Sequence, residues 1–212
     1  MMIACARRLR RVALPALTLL SAPLAMAAAP PGPSLAQAQQ AMDRLFDAAI
    51  AERPASDSSR LVAEAFRPRL QALSGCLPAA DAVAGSVDCI ATAQAGAEAV
   101  HRLLRFRPEQ AQWALGMDSR QLAVPVPPQA RVQVLLQQLI AARAARAPDR
   151  QGRTAMLAAA REAAVFSVTG CAVGDEAPVI ECQVDATVGG ERGQETMAFT
   201  WVEGDWANAA PH

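Results

Sequence analysis

The chain has 212 residues with 20 basic and 20 acidic side chains, so its formal net charge at neutral pH is zero, and 52% of its residues are hydrophobic. All the basic residues are arginines, and the absence of lysine excludes phosphate-loop lysines, Schiff bases and Ser–Lys dyads. At this length the chain can bury a core in one domain or in two small ones.

The first 27 residues have the three parts of a secretory signal peptide. Four arginines between positions 7 and 11 precede an apolar run over 12–25, and Ala25-Met26-Ala27 is a small-x-small cleavage site. The apolar run is too short for a comfortable membrane span, and no later stretch is long enough. We therefore expect cleavage near Ala27, a disordered tail over 28–33, and no transmembrane segment in the mature protein.

An arginine-rich, alanine-rich chain without lysine is typical of a GC-rich bacterial genome. The expected location is thus the periplasm or the extracellular medium. Four arginines and no acidic residue leave with the signal peptide, so the mature chain is net acidic. No nucleic acid is expected as a partner, because nucleic-acid binders present basic surfaces.

Four cysteines remain after cleavage, and an even count in an oxidising compartment predicts two disulfides. Sequential pairing, Cys76–Cys89 and Cys171–Cys182, is favoured over the two other connectivities because each pair is local. Each bond should stabilise the fold by about 3 kcal/mol. None of the cysteines forms a C-x₂-C pair, so no metal site is predicted.

Residues 34–117 are predicted to be a helical region. Apolar residues repeat at helical spacing from an N-cap at Ser34 to about Glu52. A second helix over 61–73 should kink or split near Phe66 because Pro68 lies inside it. Two more helices are predicted, over 88–106 and, shorter, from Pro108 onward.

Residues 118–128 are rich in proline and are predicted to be a linker or a long loop. The last region, 129–212, begins with a helix pair, the second helix capped by Asp149. The spacing of these elements indicates no internal repeat.

The end of the chain predicts a four-stranded antiparallel β-meander. Residues 180–188 alternate between apolar and polar, which indicates a strand with one wet face. Gly170 predicts a bulge in the strand that comes before residues 180–188. A turn at Glu203-Gly204 would place Trp201 opposite Trp206, whereas a turn at Gly204-Asp205 would make them diagonal neighbours. The predicted fold class is α+β: an N-terminal helical part, about six helices in all, followed by this meander.

The segment from Phe199 to Trp206, with its aromatic-turn-aromatic pattern, resembles the C-terminal hairpins of exported NTF2-like or cystatin-like proteins. The resemblance covers about a quarter of the chain. It implies helices packed on a curved sheet, with a small ligand or a partner bound between them.

Six residues are candidates for ligand or partner binding. Trp201 and Trp206 offer stacking surfaces, Glu181 and Asp185 an acidic sheet face, and Arg102 and Arg105 an anion site. Each also has a structural reading, as core aromatics or solvated charges. His101 is the one histidine away from the C-terminus, and no catalytic residue is assigned.

The expected function is that of an exported soluble, non-enzymatic binding or accessory protein of the bacterial cell envelope, with an unknown envelope partner and no cofactor. The alternative is a small-ligand-binding protein or an enzyme with a pocket between helices and sheet. A filled space behind Trp201 and Phe199 would favour the first reading, and a cavity lined by His101 and convergent arginines the second.

Overall fold

The computed structural model describes residues 32–52, 58–79, 83–116 and 122–210; the expected signal peptide, most of the expected tail and part of the proline-rich loop lie outside them. The elements in chain order are α1 (Leu35–Ala51), α2 (Ser58–Ala65), β1 (Arg69–Pro78), β2 (Val87–Ala95), β3 (Glu98–Glu109), β4 (Gln112–Leu115), α3 (Gln129–Ala145), α4 (Arg150–Glu162), β5 (Ala164–Val173), β6 (Ile180–Val188), β7 (Glu191–Val202) and β8 (Asp205–Asn208).

The predicted fold class is wrong, because the N-terminal region is not a purely helical part. The described residues form four helices and two four-stranded antiparallel sheets, ordered β1-β2-β3-β4 and β5-β6-β7-β8. The second helix ends at Ala65, ahead of Pro68, and β1 begins at Arg69. The stretches predicted as the third and fourth helices are strands of the first sheet.

The first sheet was not predicted from the sequence because both of its faces are buried. Alternate residues of β2 and β3 enter different cores: Cys89 and Leu104 pack with α1, whereas Ile90 and Leu103 belong to the core of the second half. A strand buried on both faces loses the apolar–polar alternation that identifies strands in sequence. The alanine-rich, arginine-rich composition of these strands then favours helix.

The predicted disulfide pairing and the local predictions for the meander are confirmed. Both sequential disulfides are present, and the meander has a register shift between Thr169 and Ala172, with Gly170 at a φ of 59°. The turn is Glu203-Gly204, so Trp201 pairs with Trp206. Their rings meet edge to face with centroids 5.4 Å apart.

The chain contains an internal repeat, contrary to the sequence-based expectation. Each half is a helix pair followed by a four-stranded meander. The first helices both have 17 residues, and the four strands have 10, 9, 12 and 4 residues in each half. A disulfide joins the first two strands in both.

Strand register is equivalent in the two halves. Val87 pairs with Phe106 as Ile180 pairs with Phe199, and the correspondence continues along both hairpins. The first strand has its register shifts at matching places, and the last turns hold matching non-glycine residues at positive φ, Gln110 and Glu203.

A glutamine on the first helix makes the same two hydrogen bonds in each half. Gln39 accepts from the Leu70 amide at 2.7 Å and donates to the Pro68 carbonyl at 3.3 Å. Gln133 accepts from the Val165 amide at 2.6 Å and donates to the Ala163 carbonyl. These bonds fix each helix to the start of its sheet.

One of the two buried clusters spans both halves. Leu77, Ile90 and Leu103 of the first sheet lie in the same buried cluster as Phe199 and Trp206 of the second half. The face of the first sheet turned away from α1 therefore packs against the second half. Across the described stretches, every helix is too short or too polar to cross a membrane.

Candidate functional site

The outer edge of β3 is largely uncovered. β3 has 12 residues but β4 has 4, and they pair only over Phe106–Glu109. The ladder ends where the Gly116 amide donates to the Arg105 carbonyl at 2.9 Å. Because backbone groups point alternately to the two sides of an antiparallel strand, Ala99, His101 and Leu103 present their amides and carbonyls to this edge. No described residue pairs with them there.

A cavity of about 690 Å³ surrounds this edge. Met42, Leu45 and Phe46 of α1 line it on one side of β3, and Leu122, Val124 and Val173 line it on the other. We call this space the first groove. It offers unpaired backbone groups between two apolar walls.

Few polar side chains line the first groove. Arg102 lies on the α1 face of β3, is exposed, and has no hydrogen bond or ion pair to another described residue. His101 is half-buried on the other face, with its Nδ1 3.1 Å from the Thr92 hydroxyl. Behind the α1 wall, the Arg67 guanidinium lies 4.5 Å from the Phe46 ring centroid and 2.7 Å from Asp47. A negatively charged group on a ligand in the groove would therefore lie near the positively charged Arg102 side chain.

The structure separates the two arginines that the sequence analysis grouped. Arg102 faces the first groove, but Arg105 lies on the opposite face of β3. Its Nε and Nη2 donate to the two carboxylate oxygens of Asp88, at 2.7 and 2.8 Å. The Asp88 side chain is 5% exposed. Arg105 thus belongs to a buried ion pair rather than to an open anion site.

The other candidate residues lie in the second half, away from the first groove. Trp206 is buried in the core, and Trp201 packs partly exposed against it. Glu181 and Asp185 share the face of β6 turned away from the core, and both are half-buried. The six candidates do not form one site.

Asp185 is held by Arg192 on the neighbouring strand, with donor–acceptor distances of 3.0 and 2.6 Å. These bonds to the ionised carboxylate hold the pKa of Asp185 below its ordinary value of 3.8. A carboxyl group with a lowered folded-state pKa stabilises the fold above its unfolded pKa, and that contribution is lost as pH falls through the folded pKa.

Replacing Arg192 by glutamine should therefore return the Asp185 pKa to its ordinary range, as measured by NMR titration. The difference in unfolding midpoint between wild type and R192Q should be present at neutral pH and vanish in acid. Arg153→Gln, at an exposed position of α4, is the matched control. An Asp185 titration unchanged by R192Q would contradict the assignment.

Sequence reasoning missed most of the first groove. It placed Val100 within a predicted helix over 88–106 and did not separate the edge of β3 from its faces. A usable signal was present: the spacing Cys89, Gly96, Glu98, Phe106, Trp113 recurs as Cys182, Gly189, Glu191, Phe199, Trp206. Since the second set lies in a recognisable meander, this repeat would have predicted a sheet in the first half.

Within the described parts of the chain, no three His, Cys, Asp or Glu residues are placed to hold a metal ion. Comparison with models of protein families, with curated proteins and with solved structures gave no match. The resemblance of the segment from Phe199 to Trp206 to NTF2-like or cystatin-like hairpins stays an expectation from that pattern.

Proposed function

We propose that this chain is an exported, non-enzymatic binding protein of the bacterial cell envelope that captures an extended apolar segment of a partner protein in the first groove. One observation carries the proposal: a cavity of about 690 Å³ with an unpaired strand edge between two apolar walls. A segment added to β3 would bond through its backbone to Ala99, His101 and Leu103. Its alternate side chains would enter the two walls.

The edge itself supports capture. Sheet edges are normally protected by prolines, bulges or a covering element, because an open edge pairs with other chains. Between Glu98 and Leu104, β3 contains no proline and keeps a continuous register with β2. At roughly 3.3 Å per residue, this stretch accommodates a segment of about six residues.

Export rests on the first 27 residues and on the disulfides. Two disulfides fit an oxidising compartment such as the periplasm or the medium. In that setting the partner is another exported or envelope protein.

A second candidate function is the binding of a small apolar ligand with one acidic group. The cavity is lined by His101 and Arg102, which favours this reading, but Arg105 points away from it and binds Asp88, so the arginines do not converge there. The cavity volume falls within the range of about 300–1,000 Å³ usual for such ligands, and Arg102 is one of its lining residues. Such a ligand would use the walls and Arg102 but would not need the edge amides of β3.

Two substitutions of His101 distinguish strand addition from small-ligand binding. His101→Pro removes an outward amide of β3 and leaves the β2 ladder intact, since proline is tolerated on an edge strand. His101→Ala removes the same side chain and keeps the amide. Peptides selected from a random displayed library on the wild-type protein should bind H101A nearly as tightly as wild type, and H101P at least about tenfold more weakly.

Calorimetry on the folded variants measures this difference. Failure to enrich any peptide, or equal peptide affinity for H101P and H101A, would contradict strand addition. Equal binding of a fluorescent fatty acid to both variants, lost on Leu45→Arg, would instead establish the small-ligand reading.

A further inference from the structure

We infer that the second half carries a second groove, at the free edge of β7, that takes an extended basic segment of a partner protein; this rests on the strand-addition mode proposed for the first groove. β7 pairs with β8 only over Phe199–Val202, and the Ala209 amide donates to the Ala198 carbonyl at 2.9 Å, as Gly116 does to Arg105. The same alternation then turns the backbone groups of Arg192, Gln194 and Thr196 outward.

A cavity of about 480 Å³ lies beside this edge, on the α3 face of the second sheet. Its floor includes Leu136, Val184 and Met197, which correspond to Met42, Ala91 and Leu104 of the first half. The repeat therefore places two cavities at the same position relative to helix and strand edge.

Gly193 lies in the lining of the second groove without a structural need for glycine. Its backbone is not in the left-handed region, and a Cβ added there would meet no atom within 4 Å. Its counterpart in register is Val100. Glycine in the interior of a strand weakens the sheet and often marks the close approach of a ligand or another backbone. Here it leaves room at the middle of the free edge.

The charge of the second groove is opposite to that of the first. Glu195 stands at the register position of Arg102, and Glu191 also lines the cavity. Neither glutamate has a hydrogen bond or ion pair to another described residue. Arg192, the one basic residue among the described residues of the lining, is bound to Asp185 and lies 4.5 Å from the Phe166 ring centroid. Charge complementarity therefore selects a basic segment.

The occupant that fits is a strand with a small or flexible apolar residue opposite Gly193 and a basic residue on either side. Side chains two residues apart share a face, so Lys-x-Leu-x-Lys places both ammonium groups against Glu191 and Glu195. The first groove, with Arg102, should reject this pattern in favour of an acidic one.

The test uses the blocked peptide Thr-Lys-Thr-Leu-Thr-Lys-Thr and its counterpart with glutamate for lysine. By NMR, the lysine peptide should slow amide hydrogen exchange at Arg192, Gln194 and Thr196 several-fold, and the glutamate peptide should not. Gly193→Val should reduce this protection several-fold, because it fills the space opposite the peptide leucine, while leaving the thermal midpoint equal or higher; replacing a purely structural glycine would lower the midpoint. Glu195→Arg should shift the preference toward the glutamate peptide.

Undiminished protection in G193V would overturn the second groove, as would protection by the lysine peptide confined to β3 amides. Protection that grows with protein concentration in the absence of peptide would also overturn it, since a second copy would then cover the edge. His101→Pro should leave the β7 response unchanged, so a failed first groove is distinguishable from a failed second one.

Discussion

Replacing Arg105 by methionine should lower the free energy of unfolding by about 3–5 kcal/mol, because it leaves the Asp88 carboxylate buried without its guanidinium partner. Asp88 is 5% and Arg105 16% exposed in their side chains, and two hydrogen bonds of 2.7 and 2.8 Å join them. The pair crosses from β2 to β3 on the face that meets the second half. Urea denaturation of R105M measures the loss.

The control is the double variant Asp88→Val/Arg105→Met. Replacing both partners of a buried ion pair by apolar residues is often neutral or stabilising, since the cost of desolvating two charges disappears. The double variant should therefore recover most of the stability lost by R105M. If it is less stable than R105M, the cost does not come from an uncompensated carboxylate.

Replacing Phe199 by alanine should cost about 3–5 kcal/mol, the usual range for a fully buried phenylalanine. Phe199 has no exposed surface and lies in the core formed by α3 and the second sheet. Phe106, its counterpart in the repeat, is equally buried beneath α1. F106A and F199A should have similar effects because the two residues occupy equivalent positions in register.

Both substitutions should shift a single unfolding transition. Leu103 and Ile90 of the first sheet are part of the second half's core, so neither half can unfold without exposing the other. Tryptophan fluorescence and far-UV circular dichroism should give coincident curves for wild type and both variants. Val202→Ala, at a residue 50% exposed, should change stability by less than about 0.5 kcal/mol. Two resolved transitions would mean that the shared core contributes little.

Under the two strand-addition proposals, the repeat has a functional meaning. The edges of β3 and β7 keep the same backbone geometry, while Arg102 and Glu195 differ in charge at one register position. A duplicated scaffold of this kind can bind two segments of different charge without any change in fold.

Elements with local signals could be predicted from the residues alone. Ser34 accepts from the Gln37 amide and Asp149 from the Gly152 amide, so α1 and α4 begin within a residue of where their caps predicted. β6 kept its alternation because one face is wet. The disulfide pairing followed from spacing, since each pair closes a short hairpin.

The first sheet and the two grooves depend instead on contacts between residues that are distant in the chain. β2 and β3 are covered by α1 on one face and by the second half on the other, which removes the alternation that marks a strand. Whether a strand has a free edge depends on the length of the strand beside it. β4 and β8 have only four residues each, and the amino-acid composition of the chain does not predict that they are so short. Arg102 was named from the sequence, but its place in the first groove and the burial of Arg105 with Asp88 depend on the side of β3 to which each points. That side is fixed by packing between the halves, not by the neighbouring residues in the chain.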